Sequence, residues 1–346
     1  MHAWLRSNFL STLGVVLLAT GITVQADPIR IDDLAVHDPF ILADAATHTY
    51  YLYGGYRTTD AALKDKVKNA GVKAYTSKDL VNWEGPQVVY EMGGDFWADK
   101  NASPWAPEVH AWRGKFYLFT TFHEWDHSEQ PVNGDRAVKR RGSQILVADS
   151  PLGPFKPLKN RPTTPDGDFT LDGTLWIEDG KPYMVYCHEW IQPGGGTVEA
   201  VPLSEDLAEA TGKPFVLFAA KDAPWARSTN SYGGKETGNA VSDGVFPFRT
   251  RSGKLLMLWS SWTKSRAYGE GVAVSESGKI HGPWKQSQEP ILQDDRGHGM
   301  IFEDFDGGLV HCLHRYFKIP ATRVQLWRIK DTGDSLQVGE QLFGAK

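Results

Sequence analysis

Leu171-Asp172-Gly173-Thr174-Leu175-Trp176-Ile177-Glu178-Asp179-Gly180-Lys181-Pro182-Tyr183-Met184-Val185-Tyr186-Cys187-His188-Glu189-Trp190 reads as a β-hairpin with a polar signature at its mouth. Two apolar runs flank Asp179-Gly180, a pair suited to a tight two-residue turn. The pattern recurs four more times, opening at His37-Asp38-Pro39-Phe40, Ala106-Pro107-Glu108-Val109, Ser242-Asp243-Gly244-Val245 and Gly297-His298-Gly299-Met300. The copies return roughly every 55 to 70 residues, a spacing that points to repeated supersecondary units. Ser252-Gly253 and Asp306-Gly307 close two of the other hairpins.

Each unit extends into a second half. Gly71 to Trp83, Ile145 to Phe155 and Gly271 to Trp284 each carry an apolar strand, a turn and an aromatic residue. Thr197 to Leu207 and Val324 to Lys330 fill the equivalent places. Four strands per repeat around an axis predict an all-β, five-bladed β-propeller with four-stranded blades and a central channel. The 35 glycines and 20 prolines suit many tight turns. No linker divides the chain, so one propeller domain is expected over residues 27–346.

In such a ring the first strands start on one face, and the second strands return to it. That face therefore collects Asp38, Glu108, Asp172, Asp243 and His298, an arrangement suited to glycosidase-like acid–base chemistry. Glycoside hydrolysis needs one ionised carboxylate and one protonated carboxylic acid. A third carboxylate raises the acid's pKa by repulsion. The second strands bring Tyr53 to Tyr56, His123-Glu124-Trp125, His188-Glu189-Trp190, Ser260 to Trp262 and His314 to the same rim. The repeated His-Glu-Trp triplet fits a substrate role or a structural relic equally. Glu108 fits either a rim residue beside Trp105 or a structural carboxylate. Phe96, Trp97, Trp190 and Trp262 are candidates to stack on sugar faces. Trp83 and Trp284, in the outer turns, are expected to be structural.

Composition agrees with a globular, sugar-handling protein. The 346 residues are 41% hydrophobic, 23% charged and 12% aromatic, with 13 tryptophans. The net charge of −5 argues against a nucleic-acid partner. Arg6, the apolar stretch from Phe9 to Val24 and Val24-Gln25-Ala26 read as a signal peptide over residues 1–26. An uncleaved anchor is the other reading of that stretch. Cleavage would give a secreted or periplasmic protein with no membrane contact, expected to be a monomer. Asn101-Ala102-Ser103 is a formal glycosylation sequon. Cys187 and Cys312 lie in non-neighbouring units and are expected to be reduced and buried.

His37-Asp38-Pro39-Phe40-Ile41, Trp105-Ala106-Pro107-Glu108-Val109, Leu171-Asp172-Gly173-Thr174-Leu175-Trp176 and Gly297-His298-Gly299-Met300-Ile301-Phe302 together resemble glycoside hydrolase family 43. The resemblance runs from about Val36 to Arg328. It implies an inverting mechanism and an arabinan, xylan or galactan type of oligosaccharide or polysaccharide substrate. It matches Asp38 to the general base, Asp172 to the pKa-modulating aspartate and His298 to an axial histidine beside a bound calcium or sodium ion. From their rim positions, Glu108, Trp105, His188, Trp190 and Trp262 are the candidates to bind substrate.

The chain departs from that pattern at the acid. The family's usual Glu is Asp243 here, one methylene shorter. Three outcomes follow. The backbone compensates, or Glu189 supplies the proton, or the chain has become a carbohydrate-binding propeller without turnover. The favoured expectation is an α-L-arabinofuranosidase or β-xylosidase, and a β-galactosidase acting on galactan is the alternative within the enzyme class.

Overall fold

The computed structural model describes residues 27–129, 138–228 and 238–345. The expected signal peptide lies outside them. Among the described residues, no helix is long and apolar enough to cross a membrane.

Five antiparallel sheets succeed one another along the chain. Blade 1 comprises Phe40–Asp44, Thr49–Tyr56, Gly71–Ser77 and Asn82–Glu91, with Ile29–Arg30 added at its outer edge. Blade 2 comprises Trp105–Trp112, Lys115–Glu129, Val138–Ala148 and Lys156–Pro157. Blade 3 comprises Thr170–Glu178, Lys181–His188, Thr197–Pro202 and Phe215–Ala219. Asp243–Arg249, Leu255–Trp262, Tyr268–Ser275 and Trp284–Gln286 form blade 4. Arg296–Glu303, Leu309–Arg315, Arg323–Asp331 and Leu336–Gly344 form blade 5. The first strand of each blade touches those of both neighbours, so five sheets close into a ring and the fold is a five-bladed β-propeller.

Turn chemistry sets the hairpins. Asp179 and Gly180 both hold positive φ (51° and 76°), as a type I′ turn requires. Arg113-Gly114 makes the same turn in blade 2, at 49° and 79°. Apolar faces then pack blade on blade. One cluster joins blades 1, 2 and 5 through Leu52, Val72, Val109, Leu118, Cys312 and Leu326. Another joins blades 3 and 4 around Val185, Val198, Trp225 and Trp259. Each fully buried side chain of this size contributes about 1.5–3 kcal/mol. Ring closure also uses the segment before blade 1, where Val324 of blade 5 donates its N–H to the Leu34 carbonyl at 3.3 Å.

Trp83 and Trp284 hold outer turns, donating their indole N–H to the carbonyls of Leu80 and Ile280 at 3.1 and 2.9 Å. Cys187 and Cys312 are free and buried.

Candidate active site

The five blade openings share a backbone device. Asp38, Ala106, Asp172, Gly244 and His298 all lie in the left-handed region, with φ between 42° and 54°. In blades 2 to 5 this residue sits in a bulge, where the pairing register slips between the first and second strands. A bulge re-aims side chains; here it re-aims Asp172 and His298, and Asp38 meets His298 from the same left-handed backbone just before the first strand of blade 1. Strain of about 1–3 kcal/mol per such residue is tolerated where the surroundings enforce it.

Register assigns the other two carboxylates differently from the sequence expectation that all share one position. Glu108 lies two residues beyond Ala106, past the bulge, and is buried. Its Oε2 meets His110 Nε2 at 3.0 Å, so it is a carboxylate below the rim rather than on it. Asp243 lies one residue before Gly244, the register position of Leu171, Trp105 and Gly297. Its carboxyl therefore enters from a different backbone position than those of Asp38 and Asp172. Gly244 is needed here, because a Cβ would lie 2.6 Å from His298 Cγ at a φ of 52°.

Neighbouring blades lock these openings. The Asp172 N–H donates to Thr121 Oγ1 at 2.9 Å, and the His298 N–H donates to Ser260 Oγ at 2.8 Å. The Asp38 N–H donates to His314 Nδ1 at 3.3 Å. Thr121, Ser260 and His314 occupy one register position on the second strand of the preceding blade, opposite Trp105, Asp243 and Gly297. Cys187 fills that position in blade 3, opposite Leu171. The Gly244 N–H donates to Asp172 Oδ2 instead, at 3.0 Å. Asp172 is thereby tied to the backbone that carries Asp243.

His298 sits at the centre. Its Nδ1 is 3.0 Å from Asp38 Oδ1 and 4.0 Å from both Asp172 Oδ2 and Asp243 Oδ1. His37 Nδ1 and His314 Nδ1 approach Asp38 Oδ1 at 2.8 and 3.2 Å. None of these contacts to Oδ1 is an aligned hydrogen bond; those of His37 and His298 act as charge on charge, while His314 Nδ1 accepts the Asp38 N–H. The His37 ring is held by Nε2 donating to the Phe317 carbonyl at 2.8 Å, and it stacks on His314 with centroids 4.3 Å apart. Tyr268 donates its hydroxyl to Asp243 Oδ2 at 2.8 Å.

These surroundings split the aspartates. Burial works against ionisation of Asp38, but the charges of His298 and His37 outweigh it and hold the carboxyl well below the usual range. Burial pushes Asp172 up to about 6; a bond from Asp243 opposes the rise and the charge of Asp38 adds to it. Asp243 is driven well above the ordinary value by burial and by the charge and hydrogen bond of Asp172. Burial depresses His298, yet Asp38 and then Asp243 and Glu108 raise it to about 9. His314 falls to about 4 through burial and the charges of His37 and His298, which suits a neutral ring accepting an N–H. The surroundings therefore favour the ionised form of Asp38 and the protonated form of Asp243, with Asp172 intermediate, the direction of acid–base separation that hydrolysis of a glycoside requires.

The remaining sequence candidates surround this cluster unevenly. Glu189 is buried and paired with Arg141 Nη1 at 2.9 Å. Arg141 also lies over the ring of Trp105, 4.9 Å from its centroid, and Trp105 is 39% exposed. Trp262 is half-buried against Tyr268 and Phe317, with centroids at 5.6 and 5.2 Å. His188 is turned inward, to Glu199 at 3.2 Å and Gln192 at 2.9 Å. Trp190 packs against Phe169 and Ile191. The sequence places His314 on the rim without a role, and it does not single out His37 or Tyr268. His37 adjoins Asp38 in its motif, and His314 shares a strand-end position with Thr121 and Ser260. Tyr268 starts a third strand, where no periodicity marks it.

An ion near His298 would share its side-chain ligands with the acid–base groups and take its remaining oxygens from water. The nitrogen facing the carboxylates serves Asp38, and the clustered ligand atoms belong to the acid–base groups themselves. Ca²⁺ needs six to eight oxygens, and the positive charge opposite Asp38 comes from the imidazoles.

A ring of five blades with a split carboxylate pair at its axis defines a propeller glycosidase. The model for glycosyl hydrolases family 43 matches residues 31–330, and the chain belongs to that family. It is similar to an endo-arabinase from Bacteroides thetaiotaomicron VPI-5482, at 35% identity and a TM-score of 0.74, covering 93% of this chain and 100% of that one. A thermostable family-43 glycoside hydrolase is 25% identical with a TM-score of 0.67, covering 89% and 94%. An exo-1,5-alpha-L-arabinanase from a bovine ruminal metagenomic library shares the fold, at 16% identity and a TM-score of 0.63, with 90% and 98% covered. No curated protein matches the chain. The protein is a glycoside hydrolase.

Proposed function

We propose that the protein is a secreted, inverting glycosidase acting on α-L-arabinofuranosyl or β-D-xylosyl linkages of plant-type polysaccharides or oligosaccharides. The observation that carries the reading is the convergence of Asp38, Asp172 and Asp243 on one imidazole, with Asp38 facing histidine rings and Asp243 facing a second carboxyl group and a phenol. Asp38 takes a proton from water as the water oxygen bonds to the anomeric carbon. The bond from that carbon to the glycosidic oxygen breaks, and the leaving oxygen takes the Asp243 proton. Asp172 holds Asp243 protonated and placed. The ion pair of Glu189 with Arg141 favours Asp243 over Glu189 as the acid. Trp105 supplies exposed and Trp262 half-buried aromatic surface for sugar faces, whereas the inward bonds of His188 favour a structural role for it.

Inversion needs carboxyl groups about 6.5–9.5 Å apart. Asp38 Oδ1 and Asp243 Oδ1 lie 3.0 and 4.0 Å from the same nitrogen. The sum of those distances is an upper limit on the separation of these two oxygens, so the measured carboxyl separation with sugar bound is itself a test of inversion. Similarity to an endo-arabinase supports the arabinan side of the substrate choice, and the N-terminal stretch supports secretion. A panel of nitrophenyl arabinofuranoside, xyloside and galactoside tests the sugar, with proton NMR of the first-formed product testing the stereochemistry. Turnover of the arabinofuranoside or xyloside with an inverted anomer is expected. Retention would overturn the mechanism, and release from the galactoside alone would move the substrate to galactan.

A further inference from the structure

Tyr268 is wholly buried, yet it lies within reach of the reacting groups. Its ring is fixed from several sides: it stacks on His314 at 5.5 Å and 12°, and meets Trp262 and Phe317 at 5.6 and 4.9 Å. A Cβ on Gly297 would come within 2.7 Å of the ring. A phenol held so tightly donates in one direction, to Asp243 Oδ2 at 2.8 Å.

A carboxylic acid has two oxygens, and only one carries the proton. An oxygen that accepts a hydroxyl hydrogen is best used as the carbonyl-like one. The Tyr268 bond therefore assigns Oδ2 the acceptor role and leaves the proton to Oδ1. That oxygen lies 4.0 Å from His298 Nδ1, the nitrogen that Asp38 Oδ1 approaches at 3.0 Å, and its proton is the one that the hydrogen bond with Asp172 holds until the glycosidic oxygen takes it. The side chain is one methylene shorter than a glutamate, so it has little reach with which to correct a wrong orientation. General acid catalysis needs hydrogen-bond contact with the leaving oxygen.

Resting on the assignment of Asp243 as the acid, we propose that Tyr268 is a positioning residue for it: its hydroxyl anchors Oδ2, so that Oδ1 presents the proton to the glycosidic oxygen. Tyr268 touches neither water nor sugar in this scheme and acts only through Asp243.

The test compares Tyr268→Phe and Asp243→Ala on two glycosides of the sugar identified by the panel. One carries dinitrophenol, which departs without a proton, and the other carries unsubstituted phenol, which needs one. The ratio of kcat/KM on the two substrates does not depend on how much enzyme is folded, so partial loss of structure cannot imitate the effect. Tyr268→Phe is expected to lose about tenfold on the phenyl glycoside and no more than about twofold on the dinitrophenyl glycoside, a muted copy of the roughly 10²- to 10⁴-fold loss expected for Asp243→Ala. If Asp243→Ala shows the split and Tyr268→Phe lowers both substrates equally or neither, the positioning role is overturned while the acid assignment stands. If Asp243→Ala lowers both equally, the acid assignment fails first.

Discussion

Asp38 and Asp243 are the same residue type around the same imidazole, and their surroundings drive them in opposite directions. Asp38 faces three histidine rings, two of them raised toward the charged form by the carboxylates around them. Asp243 faces a second carboxyl group and a phenol. Burial alone would neutralise both. The cations opposite Asp38 overcome that tendency, while Asp172 beside Asp243 reinforces it. The difference teaches that the division of labour lies in the partners rather than in the aspartates, and variants that alter one side at a time will separate them.

The largest effect belongs to the base. Asp38→Asn keeps the shape but removes the proton acceptor, and a loss of at least about 10³-fold in kcat is expected on every leaving group. Retention of more than a few per cent of the rate would remove Asp38 from that role. Asp172→Asn acts on the other side. It removes the charge that helps hold the Asp243 proton, so the alkaline limb of kcat/KM should move to lower pH, with a loss of about ten- to a hundredfold on phenyl glycosides. An unchanged limb would show that Asp172 does not tune the acid.

Much of the fold was legible because hairpin turns, strand lengths and blade openings are local features. Asp179-Gly180 announces its own turn, and Asp38, Asp172 and His298 fall at the same point of their repeats. The placement of Asp243 was not legible to the residue. The bulge lets Asp172 and Gly244 share a register position, and a motif read by eye aligns Asp243 with Asp172 instead. Glu108 was misplaced for the same reason, in the opposite direction along the strand. His37 and His314 act through inter-blade contacts such as that of Asp38 with His314, 276 positions apart, and Tyr268 reaches Asp243 from the third strand of its own blade. Period and composition carry no trace of such pairs.

Two further variants probe the frame that holds the comparison. Gly244→Ala would press a methyl group on the His298 ring at a left-handed φ. A destabilisation of about 2–4 kcal/mol is expected in denaturant unfolding, and a neutral result would show that the opening can relax. His298 is raised from an ordinary value of 6.5 to about 9. A group raised on folding stabilises fully below its unfolded pKa and loses that contribution as pH passes the folded one. Stability should therefore fall between pH 6.5 and 9, by on the order of 3 kcal/mol for this group. Asp172, raised to about 6, adds a fall of the same sign from its unfolded value of 3.8 up to 6. His298→Asn should flatten the upper part of a plot of Tm against pH. An identical slope would assign it to other groups.

The smallest effect is expected at Cys187, the register position where Thr121, Ser260 and His314 accept an inter-blade N–H. Cys187→Ser offers a hydroxyl that competes with Asp172 for the Gly244 N–H. A few-fold change in kcat with the fold intact is expected, and no change would show that the Asp172 bond to Gly244 is dominant.

The opposed protonation of the two aspartates can be observed without substrate. Carbon-13 NMR of protein labelled at the aspartate carboxyl carbon resolves protonated from ionised groups. At pH 7 the wild type should show a protonated carboxyl resonance that disappears in Asp243→Asn and persists in Asp38→Asn. Loss of that resonance in Asp38→Asn but not in Asp243→Asn, or no protonated aspartate at pH 7 in the wild type, would contradict the assignment of acid and base.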